Sequence, residues 1–245
     1  MKNKIALILG ARSDIAISVA HRFAKEGYDL QLAARNIKSL SDHKSEIQLN
    51  HGVMVTLFEF DALEVNSHEK FVDSLPQIPT IVICAVGSMG NQLNSELYVQ
   101  AATKVMRSNF EGPASILGIF ANHFEQRGFG ILIGISSVAG ERGRATNYIY
   151  GSSKAAMTAF LSGLRNRLAK KGVQVISVIP GFVKTKMTHE MNLPDFLSAQ
   201  PDEVANAIFN AVRKKKNIVY VKSIWWLIMM IIRIIPEGIF KKINI

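Results

Sequence analysis

Cys84 is the single cysteine in 245 residues, so neither an internal disulfide nor a cysteine-rich metal site can form. That fits a reducing compartment, and the lone thiol is expected to be buried. Acidic side chains are also scarce, with 19 Asp and Glu against 29 Lys and Arg and a formal charge of +10. Much of the excess is local: from Arg213 onward there are eight Lys or Arg and one acidic residue, Glu237. These basic positions alternate with Ile, Trp and Met, and no nucleic-acid module is recognisable, so nucleic acid is not expected as a partner. An anionic membrane surface suits the pattern better. There is no long apolar run either. The stretch SIWWLIMMIIRIIPEGIFKKI (223 to 243) is interrupted by Arg233 and stopped by Pro236, too broken for a span that needs about 20 apolar residues. No repeat or low-complexity linker breaks the chain.

The opening MKNKIALILGA has two lysines before an apolar run, as a short signal peptide would. The run is only of strand length, however, and leads into a Gly turn and an amphipathic helix. A cytoplasmic protein is predicted. With 48% hydrophobic and 20% charged residues, the chain can bury one sizeable core, and one domain is expected. Its bounds are placed at 1 to 222, with 223 to 245 as an apolar and basic tail.

Residues 4 to 9 read as a buried strand, Gly10 opens a turn, and Ile15, Val19, Ala20, Phe23 and Ala24 recur at helical spacing. Such a unit can hold a diphosphate at the helix N-terminus. Strands at 28 to 34, 53 to 58, 79 to 85, 130 to 136, 173 to 179 and 218 to 221 then alternate with helices at 37 to 50, 64 to 75, 95 to 126, 148 to 170 and 201 to 215. This alternation predicts an α/β fold, a doubly wound parallel sheet, with its ligand crevice beyond the carboxyl ends of the strands.

The chemistry is concentrated in GISSVAGERGRATNYIYGSSKAA (134 to 156). Tyr150 and Lys154 are four residues apart and should share one helix face. A free phenol has a pKa of about 10, and a neighbouring ammonium lowers it by favouring the phenolate. Lys154 is thus expected to make Tyr150 a usable acid or base. Ser137 precedes a Gly-containing loop that could return its hydroxyl to the phenol, where it could hold a carbonyl oxygen. A Tyr and a Lys at this spacing are common on solvated helices, so the surrounding pattern has to carry the reading.

Together, Gly10, Asn109, Ser137, Tyr150, Lys154 and the run PGFVKTKM (180 to 187) resemble the short-chain dehydrogenase/reductase family over residues 4 to 221. The resemblance implies that the sheet is of Rossmann type, and it implies hydride exchange between a nicotinamide cofactor and a carbonyl or alcohol carbon. It implies that Tyr150 donates the proton, that Lys154 lowers its pKa and bonds the nicotinamide ribose, that Ser137 orients the substrate oxygen and that Asn109 holds a water. On the same basis Gly10, Arg12, Ser13, Asp14, Ile15, Ala85 and Pro180 fall among the cofactor-binding positions. Val183 and Thr185 would take the carboxamide, and Asp61 with Ala62 the adenine. No metal site is implied, and a homo-oligomer is.

Two departures stand out. The glycine loop reads GARSDIA, with Asp14 and Ala16 where the family keeps its second and third glycines. A carboxylate there repels a diphosphate unless it caps the helix or is offset by Arg12. CAVG (84 to 87) replaces the frequent NNAG, removing two side-chain amides.

Cofactor choice turns on the end of the second strand, where an acidic residue would grip a ribose 2′-hydroxyl. Ala34 stands there and Arg35 follows. NADP(H) is therefore favoured over NAD(H), with Arg12 as a second clamp. The loop at 187 to 200 is the expected lid, and its His189 and Glu190 are read as solvated. The tail is either a membrane-surface helix or an interface helix. With GSMGNQ (87 to 92), it is similar to the branch of the family that reduces the keto-pentose of a polyprenyl-phosphate sugar. A generic reductase of small ketones or acyl intermediates, and a nucleotide-binding scaffold without catalysis, are the alternatives.

Overall fold

The computed structural model describes residues 4 to 189 and 194 to 243. Glu190 lies outside them, as does part of the expected lid. The run KIALIL forms β1 (Ile5–Leu9), buried at every position as a central parallel strand requires. It is followed by α1 (Asp14–Ala24), β2 (Asp29–Ala34), α2 (Ser41–His51), β3 (Val55–Glu59), α3 (His68–Asp73) and β4 (Ile81–Cys84). The second half holds α4 (Gln92–Leu97), α5 (Val99–Met106), α6 (Gly112–Arg127), β5 (Gly130–Ile135), α7 (Tyr148–Leu168) and β6 (Val173–Pro180). A two-residue pair, β7 (Phe182–Val183) with β8 (Ser198–Ala199), precedes α8 (Pro201–Arg213) and β9 (Ile218–Val221). The tail forms α9 (Ile224–Ile234) and α10 (Glu237–Phe240).

Seven strands make one sheet in the order β3-β2-β1-β4-β5-β6-β9, and every pairing is parallel. Alternation along β1 sends Ala6 and Ile8 into one core layer and Leu7 and Leu9 into the other. The first layer is closed by α1, α2 and α8, where Phe23 meets Phe209 edge to face at 5.3 Å. The second is closed by α3, α6 and α7, around Phe120, Phe124 and Leu161. Strand order reverses between β1 and β4, so the crevice of a doubly wound sheet opens above their carboxyl ends.

The single helical region expected over 95 to 126 is three helices with a π turn at Arg107–Glu111. Tyr98 is extended (φ −125°, ψ 112°) and separates α4 from α5. Pro113 has no N–H to give to the Asn109 carbonyl four residues back, which favours the wider turn. Periodicity cannot show such a break, because apolar residues continue through it.

The tail does not stand apart from the domain. Trp225 and Met229 are buried against Val138 and Ile179, and the Trp225 indole N–H donates to the Leu197 carbonyl at 2.9 Å. Gly181 leaves the room: a Cβ there would sit 1.9 Å from Trp225 Nε1. Arg142 anchors the far end, donating to the Arg233 carbonyl (3.1 Å) and to Glu237 (2.6 Å) while stacking on Phe240.

Candidate active site

Strand β5 ends at the carboxyl edge and hands the chain to Ser136 and Ser137. Ser136 Oγ donates to the Lys154 carbonyl (2.9 Å) and bonds Thr158 Oγ1 (2.6 Å), fixing α7 against the strand end. The following turn lies directly on α7, since a Cβ on Gly140 would come within 2.6 Å of the Ala155 nitrogen. That contact folds the Ser137 loop back over the first turn of α7. Ser137 is thereby brought to the side of the Tyr150 phenol, while its Oγ accepts from the Ala139 N–H at 3.1 Å.

Lys154 is buried, its Nζ donating to the Ile135 carbonyl at 2.9 Å and lying 5.7 Å from the centre of the Tyr150 ring. The expected lowering of the phenol by this ammonium is not what governs it. Burial pushes Tyr150 up to about 12, and the hydrogen bond from Ser137 is what opposes the rise. Burial likewise lowers Lys154 to about 8, with the Cys84 thiol opposing. The phenol therefore stays protonated at neutral pH, and the amine titrates close to it.

Asn109 sits in the π turn, fully buried. Its Nδ2 donates to the carbonyls of Ser88 (2.6 Å) and Val105 (2.8 Å), and its Oδ1 accepts from the Ser88 N–H at 3.2 Å. The side chain thus braces the segment after β4 on the wall shared by Ala85, Tyr150 and Lys154.

These residues line a cleft of about 320 Å³ together with Ser13, Ile15, Pro180, Val183 and Thr185. A second cavity of about 510 Å³ continues it past Gly10 toward Arg35, Asp61 and Ala62, with Arg12 and Ser13 shared between the two. Gly10 has φ 79°, and a Cβ there would meet the Val86 nitrogen at 2.9 Å, so the turn between β1 and α1, packed on the chain after β4, admits only glycine without strain. Ser13 caps α1, accepting from the Ala16 N–H at 3.2 Å.

Asp14 departs from both expectations: it neither caps α1 nor pairs with Arg12. Its Oδ2 accepts from the Lys186 N–H at 2.7 Å, and the Lys186 ammonium lies 3.9 Å from Oδ1. Arg12 instead reaches the Arg35 carbonyl at 3.4 Å. Arg35 is 3.9 Å from Asp61, whose Oδ1 accepts from the Leu63 N–H at 3.0 Å. Thr185 opens a short turn closed by reciprocal contacts with Thr188.

Arg144, Asn147 and Lys186 also line the cleft, and sequence reasoning gave none of them a role. Their positions carried a weak signal only: two fall between Ser137 and Tyr150, and the third lies inside the PGFVKTKM run.

A family profile described as short chain dehydrogenase matches residues 4–195. An uncharacterized oxidoreductase of Mycobacterium tuberculosis is 33% identical over 240 residues, covering 96% of this chain and 95% of the relative. The chain belongs to the short-chain dehydrogenase family. It is accordingly an oxidoreductase. Among solved structures, a short-chain dehydrogenase from Sphingobium yanoikuyae in complex with NADPH has a TM-score of 0.82 at 22% identity, covering 98% of this chain and 96% of that one. A bulky-bulky ketone specific alcohol dehydrogenase from Comamonas testosteroni also has 0.82, at 23% identity, covering 100% and 96%. At such identities these two establish the shared fold.

Proposed function

We propose that the protein is an NADPH-preferring carbonyl reductase in which Tyr150 is the proton donor and Ser137 holds the carbonyl oxygen. The single observation that carries this is the convergence of Ser137, Tyr150 and the buried Lys154 on one cleft, with the Ser137 hydroxyl beside the phenol. The lining fits a dinucleotide: a glycine turn with no Cβ, a capped helix start and two arginines at the rim supply close backbone approach and positive charge. Bound there, the reduced nicotinamide would supply the hydride. A phenol is protonated at pH 7, and burial strengthens its hold on the proton, so Tyr150 can give that proton to the more basic alkoxide formed in reduction. Lys154, whose Nζ lies 5.7 Å from the centre of the Tyr150 ring, would restore that proton. Asn109 holds the opposing wall in register. Val183 and Thr185 would orient the carboxamide, and Asp61 and Ala62 the adenine.

Arg35, at the end of β2 with Ala34 buried beside it, supports a 2′-phosphate rather than a free ribose. The Sphingobium relative's complex with NADPH is in keeping with this. For the substrate we favour a hydrophobic or polyprenyl-phosphate-linked keto-sugar, taken at a cytoplasmic membrane face. Support comes from α9 and α10, which expose Trp226, Leu227, Ile231, Ile234 and Ile239 next to Lys222, Arg233, Lys241 and Lys242. No helix among the described residues is long and apolar enough to cross a membrane, so the contact would be peripheral. A homo-oligomer is supported by exposed Leu93 and Leu97 on α4, Val99 on α5 and Tyr98 between them. Turnover of a ketone panel including lipid-linked keto-sugars, followed by NADPH fluorescence, tests the reading. Tyr150→Phe should lower kcat by about 10²- to 10⁴-fold with NADPH affinity kept, and undiminished turnover would refute it.

A further inference from the structure

Arg144 lies between Ser137 and Tyr150 in sequence and lines the cleft with both. Its guanidinium has no carboxylate partner among the described residues, and its Nε is closed to solvent with no hydrogen-bond partner. Nearby acids face other cations, although Glu141 Oε2 makes no hydrogen bond. Glu141 takes the Tyr220 hydroxyl and lies 3.9 Å from Arg233, and Asp14 holds Lys186. Arg142, two residues earlier, is fully paired with the tail. Asn147 repeats the pattern: it precedes α7, yet its side chain makes no capping bond, and its Oδ1 is buried and unpartnered on the same wall.

A buried guanidinium nitrogen and a buried carbonyl oxygen, both without partners, cost stability unless something else satisfies them. Burial also pulls Arg144 below its ordinary pKa, as expected of a cation waiting for a counter-charge. We propose that Arg144 binds an acidic group of the substrate, a phosphate or carboxylate carried near the reacting carbonyl, and that Asn147 Oδ1 accepts from a hydroxyl beside it. This assignment rests on the reductase reading, since it needs the substrate to enter beside Ser137 and Tyr150. It narrows the substrate class to acidic carbonyl compounds bearing a hydroxyl. Arginine suits the task because its planar fork meets either oxyanion with two parallel bonds.

The test is calorimetric titration of the NADPH-loaded protein with dibutyl phosphate, phenyl phosphate, benzoate and neutral benzyl alcohol. Wild type, Arg144→Gln and Arg144→Lys are compared. At least one anion is expected to bind wild type, to lose about 10- to 100-fold in Arg144→Gln and to be partly recovered by Arg144→Lys, with benzyl alcohol unchanged. The anion that loses most identifies the group: the diester a lipid-linked phosphate, the monoester a free phosphate, benzoate a carboxylate. Equal anion affinity in wild type and Arg144→Gln, or no anion bound at millimolar concentration, overturns the assignment. NADPH binding is measured before any anion is added, so loss of the cofactor reading would register separately.

Discussion

The carboxylate of Asp14 accepts a hydrogen bond from the backbone N–H of Lys186 at 2.7 Å, joining the start of α1 to the chain after β7 across 172 residues of sequence. The side chain that stands where the family keeps glycine has become a tether over the cleft. Lys186 brings both its N–H and its ammonium, so the carboxylate faces donors rather than open cleft. Asp14→Ala should therefore free the segment from Thr185 to Thr188 with a loss of overall stability of about 1 kcal/mol or less. Limited trypsin digestion reads this directly, with faster cleavage after Lys184 and Lys186 than in wild type. Equal cleavage rates would show that the loop is ordered without the tether.

Asp14 also marks where sequence reading stops. Strand and helix order follows from hydrophobic period, and the candidate site at Tyr150, Lys154 and Ser137 rests on residue spacing along a helix and its preceding strand together with the resemblance to the family. Such spacings are local and survive in one dimension. The Asp14 to Lys186 bond is not local, and nothing in GARSDIA announces a partner 172 positions away. The π turn at Asn109 and the burial of Trp225 were hidden for related reasons: one is a change of hydrogen-bond register under an unbroken apolar pattern, the other a choice between two apolar faces of one helix. Nothing in the sequence sets Arg144 apart, since its unpartnered Nε exists only in three dimensions.

Lys154 offers a prediction with a definite sign. Burial lowers its pKa from 10.5 to about 8, so between those values the unfolded chain holds a proton that the native protein has released. Stability contributed by this group then rises with pH across that window, and below about 8 the buried ammonium carries its full penalty. Lys154→Met should remove the penalty, raising Tm at pH 7, and the advantage should shrink as pH climbs toward 10. Activity should fall sharply in the same variant. A Tm below wild type at pH 7 would mean that the bond to the Ile135 carbonyl outweighs the desolvation cost.

Cofactor choice should hinge on Arg35. Its Nη1 is 3.9 Å from Asp61, so the guanidinium both offers a charge to a 2′-phosphate and screens a carboxylate that would repel one. Arg35→Ala removes the first and exposes the second. The Michaelis constant for NADPH is expected to rise by about 10- to 100-fold, while that for NADH changes little. Steady-state kinetics with both cofactors decides the matter. An unchanged ratio would assign Arg35 to the surface.

The tail can be tested only with variants that respect its two faces. Trp225 is 4% exposed and Met229 1%, and removing the indole would cost about 3 to 5 kcal/mol. A chain cut at Lys222 would thus lose binding through unfolding, whatever the tail does. Trp226 is 51% exposed and Ile231 51%, on the face turned away from the domain, so Trp226→Ser with Ile231→Ser should shift stability by only about 0.5 kcal/mol each. If that face enters the headgroup region, each lost side chain removes about 1.5 to 3 kcal/mol of burial, and sedimentation with phosphatidylglycerol vesicles should drop at least about tenfold. High salt should weaken wild-type binding as the contribution of Lys222, Arg233, Lys241 and Lys242 is screened. Should the double variant instead bind vesicles as wild type does but run as a smaller species on gel filtration, the face belongs to a subunit contact and the membrane reading of the tail is wrong.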